Sequence, residues 1–151
     1  MSVTIKSKSD LLKLREAGRI AARALEHAGK VMHPGMTTKQ LDRSIHEFIV
    51  SCGAVPTFLG YGGFPASACI SINEEVIHGI PSNRRVIREG DIVSVDVGAT
   101  FDGFVGDTAY TFAVGDISEE KADLLKVTQD SLYAAIAAAK AGARLGDVSH
   151  T

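Results

Sequence analysis

Asp96 and Asp107 are the residues of this chain best placed to do chemistry. They flank the run Val97-Gly-Ala-Thr-Phe-Asp102-Gly103-Phe-Val-Gly106, in which Asp102-Gly103 is a preferred two-residue turn between antiparallel strands. With that turn, Phe101 pairs with Phe104, Asp107 faces Gly98, and Asp96 becomes the diagonal neighbour of Asp107. Side chains alternate along a strand, so both carboxylates fall on one face with Ser94, Gly98, Thr100, Ala109 and Thr111. Val93, Val95, Val97, Phe101, Phe104, Tyr110 and Phe112 take the other face and pack. Two carboxylates on a partly buried floor repel each other and lose hydration, and the hairpin holds no Lys or Arg to compensate. A divalent cation such as magnesium, manganese, iron or zinc would relieve both costs. The plainer reading is a pair of solvent-facing aspartates on a half-exposed sheet.

Several elements must position that hairpin. Ser7-Lys-Ser-Asp10 offers a capping box for a long amphipathic helix with Leu11, Leu14, Gly18, Ala21, Leu25, Ala28 and Met32 along its stripe, stopped by His33-Pro34-Gly35. The small residues Gly18, Ala21 and Ala28 suit close packing on a sheet. Thr37 or Thr38 caps a second helix carrying Leu41, Ile45, Phe48 and Ile49 and ending near Gly53. Short strands are expected around Val55–Leu59 and Ala68–Ile72, ahead of the Asp91–Val114 hairpin. Ser118 caps a third helix that runs to about Lys140, with Leu125, Leu132, Ile136 and Ala139 on one side. The turn Met32-His-Pro-Gly35 through Leu41 is echoed by Ala139-Lys-Ala-Gly142 through Val148, a weak internal repeat after each long helix.

Composition bounds the function. The 151 residues are 45% hydrophobic and 23% charged, enough for a soluble domain with a real core. A net charge of −2 without a basic run gives no nucleic-acid footprint. Neither a signal-like apolar segment nor a spanning stretch is present, so no membrane contact and a cytoplasmic location are expected. Cys52 and Cys69 follow no zinc-ligand pattern and read as reduced thiols. In the loop Phe58-Leu-Gly-Tyr61-Gly-Gly-Phe64, glycines hold an irregular turn open and leave Phe58, Tyr61 and Phe64 for an apolar recess sized for one side chain, although such aromatics also plug core edges. His78, before Gly79-Ile80-Pro81, is a loop histidine able to donate and accept near neutral pH. His27, His33, His46 and His150 read as surface residues.

The block Ser71-Ile-Asn73-Glu74-Glu-Val-Ile-His78-Gly79-Ile-Pro81, followed by Gly90-Asp91-Ile-Val and then Asp96 and Asp107, resembles type I methionine aminopeptidase over the whole chain. The resemblance implies a mixed α/β pita-bread fold of two pseudo-symmetric halves. Residues 1–151 would be its amino-terminal half, ending where the second repeat starts. It also implies removal of the initiator methionine from new proteins by water activated between two divalent metals, for which cobalt, manganese, iron, zinc and nickel are all suitable. Asp96 would be a bidentate ligand of one metal, Asp107 a bridging ligand, and His78 a catalytic residue touching substrate near the scissile amide. Phe58, Tyr61, Phe64 and Cys69 would border the pocket for the methionine side chain. Gly62 and Phe64 depart from what some relatives carry, which bears on pocket shape.

The family's remaining ligands, one His and two Glu, together with a second substrate-contacting His, have no positions before Thr151. Weak or absent metal binding and little activity are therefore expected of the chain alone, together with a homodimer through surface that truncation exposes. Two other readings stand beside this one. A noncatalytic binding module of the same fold would not need Asp96 and Asp107. A related metallopeptidase acting on X-Pro bonds or creatine fits the Ser71–Pro81 block less well.

Overall fold

Ser7 starts the first helix, α1 (Lys8–Val31), by a reciprocal cap: its hydroxyl accepts the Asp10 amide at 3.2 Å, and the Asp10 carboxylate accepts the Ser7 amide at 2.9 Å. That exchange satisfies amides which a helix start leaves without partners. The structure, a computed structural model, describes residues 4–151. Thr37 and Gln40 repeat the same exchange at the start of α2 (Thr38–Ser51), which buries Leu41, Ile45 and Ile49 and ends before Gly53 at φ 73°. Left-handed backbone there favours glycine.

Four strands follow, β1 (Val55–Pro56), β2 (Ala68–Ile72), β3 (Ile92–Phe101) and β4 (Phe104–Ala113). β1 is shorter than the expected Val55–Leu59, because the chain leaves the sheet at Thr57 for a helical turn at Tyr61–Gly63. β3 is the middle strand. Its whole length pairs antiparallel with β4 on one edge, while β2 (opposite Val93–Val97) and β1 (opposite Ala99 and Thr100) divide the other. The hairpin register is the expected one, from Phe101↔Phe104 through Gly98↔Asp107 to Asp96↔Ala109.

Both helices cover one face of this sheet. α1 lies across β3 and β4 and α2 lies against β1 and β2, so that Ile20, Ala24, Leu41 and Ile45 close over Ile70, Val93, Val95 and Val97. The buried stripe of α1 is Ala17, Ile20, Ala21, Ala24, Leu25 and Ala28, which corrects the expected line through Leu11, Leu14 and Gly18. Lys13 already reaches Asp102 in the hairpin turn at 2.7 Å, so residues before it project past the end of the strands, and Leu11 is exposed. The close approach also rests on different glycines. A Cβ on Gly106 of β4 would stand 2.3 Å from the Ala17 carbonyl oxygen, and one on Gly29 would stand 2.5 Å from the Phe112 ring, whereas Gly18 has open space beside it.

These elements make one compact unit ending at Asp116; Ile117–Thr151 make a second. In the second, Ser118 caps α3 (Glu119–Ala138), a turn follows, and α4 (Leu145–His150) begins. No residue of α3 is buried, and Leu132 and Ile136 of the expected stripe are exposed. The repeated turn is built alike in both places. Met32 and Ala139 donate to the carbonyls of Ala28 and Ala135, Gly35 and Gly142 both take φ 90°, and the Thr37 and Arg144 amides donate to the side chains of Gln40 and Asp147.

The two glycine environments give opposite expectations. Gly106→Ala should cost about 1–3 kcal/mol by forcing a methyl into helix backbone, while Gly18→Ala should gain about 0.5–1 kcal/mol from helix propensity. Urea unfolding of both variants checks this; a neutral Gly106→Ala would contradict the tight α1–β4 contact.

Candidate metal centre

The face of the sheet turned away from α1 and α2 carries the carboxylates. Register sets Cys69 of β2 opposite Asp96 of β3, and Asp107 of β4 opposite Gly98, so that Cys69, Asp96 and Asp107 line up across three strands. Ser94 and Thr111 share this face, their hydroxyls 2.8 Å apart. Cys69 is buried and free, Asp96 half-buried, and Asp107 exposed. Asp107 is more open than a shared partly buried floor would make it, because β4 has no strand on its outer side among the described residues.

The carboxylates destabilise each other. Burial pushes the Asp96 carboxyl above its ordinary range, Asp107 pushes it further the same way, and His78 opposes both by lowering it. Burial also raises the Cys69 thiol, to about 11, with further contributions from Asp96 and Asp107. That thiol stays protonated at neutral pH. The ion pairs among the described residues, such as Lys13–Asp102 and Lys39–Asp42, leave Asp96 and Asp107 out.

Carboxylate oxygens that repel one another and that no ion pair among the described residues neutralises fit a hard divalent cation. The set is sparse, however: among the described residues no group of three or more His, Cys, Asp or Glu side chains could hold a metal ion. The pair therefore fits part of a coordination sphere and leaves the rest to water or other donors.

His78 is brought to this face by its neighbour. Gly79 lies against β2, donating its amide to Ser71 Oγ at 3.0 Å and accepting the Ile70 amide at 2.9 Å; a Cβ on Gly79 would stand 2.2 Å from the Ile70 carbonyl oxygen. His78 itself takes φ 60°, an uncommon conformation for a residue with a side chain. On the other side, Phe58 lies over Gly98, where a Cβ would stand 2.7 Å from its ring. Phe64 is half-buried, but Tyr61 is 80% exposed, so the described residues do not enclose its ring.

An open groove of about 240 Å³ lies instead at the far end of β2, lined by residues including Asn73, Arg84, Arg85, Arg88 and Asp91. Arg85 there pairs with Glu75.

Some residues show their positioning role only in the fold. Asn73, at φ 53°, donates to Asp91 at 2.7 Å and accepts the Ile92 amide at 3.1 Å, tying the end of β2 to the start of β3. Buried Asp42 accepts the Ser67 and Ala68 amides at 2.8 and 3.1 Å and thereby fixes the start of β2. Two histidines expected at the surface are also joints between elements. His27 is 2.8 Å from Ser44 Oγ and stacks on Phe48, while His46 is 2.8 Å from buried Ser67 Oγ. An isolated helical His or Asp reveals its partner only when the fold brings a distant hydroxyl or amide to it.

Residues 12–151 match the sequence profile of metallopeptidase family M24. The chain is 52% identical over 149 residues to a methionine aminopeptidase of Clostridium acetobutylicum, covering 99% of this chain and 60% of that protein. It is 47% identical to methionine aminopeptidase 1 of Bacillus subtilis, covering 98% and 59%. The crystal structure of methionine aminopeptidase from Thermotoga maritima superposes with a TM-score of 0.95 at 44% identity, covering 99% of this chain and 60% of that one. The chain thus spans about 60% of the length of these relatives, and its mixed α/β fold is the pita-bread fold they share.

The electrostatics predict a pH dependence. Asp96 has a folded-state pKa raised above 3.8, so between 3.8 and the folded value the folded chain holds a proton that the unfolded chain releases. The associated stability is complete below about pH 3.8 and is lost as pH rises through the folded value. Metal-free Asp96→Asn should therefore be more stable than the unsubstituted chain at pH 7, with the gap closing under acid. Urea midpoints at both pH values measure this, and a variant less stable at pH 7 would contradict it.

Proposed function

The chain belongs to metallopeptidase family M24, and on that premise we propose that it carries the first part of an active centre which removes amino-terminal methionine from nascent proteins in the cytoplasm. The observation that supports this best is the unneutralised Asp96–Asp107 pair on one face of the sheet, with His78 acting on Asp96 from the side. In this reading Asp96 and Asp107 hold divalent metal, two ions in the complete centre, with cobalt, manganese, iron, zinc and nickel as candidates. When bound, such metal makes water nucleophilic near neutral pH and polarises the peptide carbonyl.

The chain's own side chains do the rest of the work proposed for them. His78, exposed beside the carboxylates and raised on the docked Gly79, is set to hydrogen-bond the scissile amide of a bound peptide. Phe58, Phe64, Tyr61 and Cys69 border the place of the methionine side chain. The first packs over Gly98, and Cys69 supplies a thiol that remains neutral, so this wall repels charge and accepts a flexible thioether. Membrane attachment forms no part of this reading, as no helix among the described residues is long and apolar enough to cross a bilayer.

Two carboxylates leave most coordination positions to water, so weak binding and little hydrolysis are expected of these 151 residues by themselves. Calorimetric titration with manganese or cobalt should show saturable binding that vanishes in Asp96→Ala/Asp107→Ala, alongside slow or undetectable cleavage of a methionyl peptide. Binding that persists unchanged in the double variant would sink the assignment.

A further inference from the structure

His78 stands at the crown of an arch that leaves β2 after Ile72 and is fastened again at Ser82. Both feet are tied down. Glu75 accepts the Ile72 amide at 3.0 Å and pairs with Arg85, while Ser82 donates its amide to buried Thr38 at 2.9 Å. Between those ties Val76, Ile77, His78 and Ile80 are exposed, and the crown meets the sheet at Gly79. The Gly79 carbonyl accepts the Ile70 amide at 2.9 Å, a bond between backbones that does not depend on side-chain chemistry. The Gly79 amide donates to Ser71 Oγ at 3.0 Å, a bond that needs a side-chain acceptor at position 71.

Ser71 is 3% exposed and lies two residues along β2 from Cys69, on the carboxylate face and opposite Ser94. Ser94 takes its hydroxyl partner from the other side, Thr111 at 2.8 Å, and the Ser71 hydroxyl serves the arch. We infer that Ser71 is a positioning residue for His78: by holding the Gly79 amide, its hydroxyl keeps His78 in left-handed backbone with the ring beside the carboxylate pair. A residue with a side chain persists at φ 60° only where its surroundings determine that conformation. Replacing the hydroxyl leaves the half-buried Gly79 amide without its acceptor. His78 then relaxes towards extended backbone, and a rotation about its own φ re-aims the ring relative to Asp96, on which it acts in the tied arrangement. The catalytic value of that placement rests on the role proposed for His78 above; the tether itself does not.

The test is magnetic resonance on the labelled 151-residue chain in EDTA, reading amide exchange at Gly79 and the one-bond Cα–Hα coupling of His78, which reports its backbone angles. In the unsubstituted chain the Gly79 amide should be protected like the amides of β2, and the coupling should have its left-handed value. Ser71→Ala should speed Gly79 exchange about tenfold, the effect of one lost hydrogen bond. It should also move the His78 coupling to the extended range while the β2–β3 amides keep their protection. Ser71→Thr, which retains the acceptor oxygen, should restore both signals, and Ser94→Ala, which removes the neighbouring hydroxyl, should change neither. In manganese the His78 ring protons should broaden in the unsubstituted chain and several-fold less in Ser71→Ala, with the Cys69 amide broadened alike in both. If Ser71→Ala loosens β2 but leaves the His78 coupling in place, Ser71 serves the sheet alone and the proposal is overturned. A Gly79 amide that exchanges freely in the unsubstituted chain overturns it without recourse to any variant. The expected changes in EDTA, with no manganese broadening at any site, support the tether and count against the metal reading alone.

Discussion

Two like charges held at fixed register on neighbouring strands are the constraint around which this structure is arranged. The Asp102-Gly103 turn fixes which residues of β3 and β4 face each other, and a slip of β4 by one residue would turn Asp107 towards the hydrophobic core and away from Asp96. The same alternation that buries Val93, Val95 and Val97 under the helices lifts Asp96 to the opposite face. Core and site are therefore two readings of one strand. Mutual repulsion and partial burial then leave the pair short of positive charge, a deficit that His78 only partly meets.

Holding that arrangement requires stiff surroundings, and the sequence supplies them through close backbone contact more than through bulk. Gly106 and Gly29 let α1 sit hard against β4, so the strand bearing Asp107 cannot tilt without meeting helix backbone. Gly79 does the same for the His78 loop against β2. Asp42 and the Asn73–Asp91 pair anchor the two ends of β2, so Cys69 cannot slide relative to Asp96. Each anchor spends a polar or small residue where a larger apolar one would bury more surface. The site is bought with core volume.

The hairpin was legible because its information is local: an Asp-Gly turn, strict alternation and two carboxylates on matching phase. The capped helices were legible for the same reason, since Ser7 with Asp10 and Thr37 with Gln40 act within four residues. The family resemblance likewise rests on contiguous motifs, and the M24 match over residues 12–151 agrees with it. What the sequence hid was relational. The buried stripe of α1 depends on where the sheet ends, which placed Ala17 and Ile20 inside and left Leu11 outside. The joints made by His27 and His46 depend on hydroxyls 17 and 21 residues away. The packing of Phe58 over Gly98 was likewise hidden, because it joins residues forty positions apart, and Tyr61 stays exposed.

Manganese is paramagnetic and broadens the signals of nearby nuclei, so an amide spectrum of the labelled chain during a manganese titration locates the ion directly. Broadening that begins at residues 94–98 and 105–109, together with His78 and Cys69, is the predicted result, and it should disappear in Asp96→Asn/Asp107→Asn. Broadening centred instead on the acidic Glu74–Glu75 turn, or spread evenly over exposed carboxylates, would contradict a metal site on the carboxylate face.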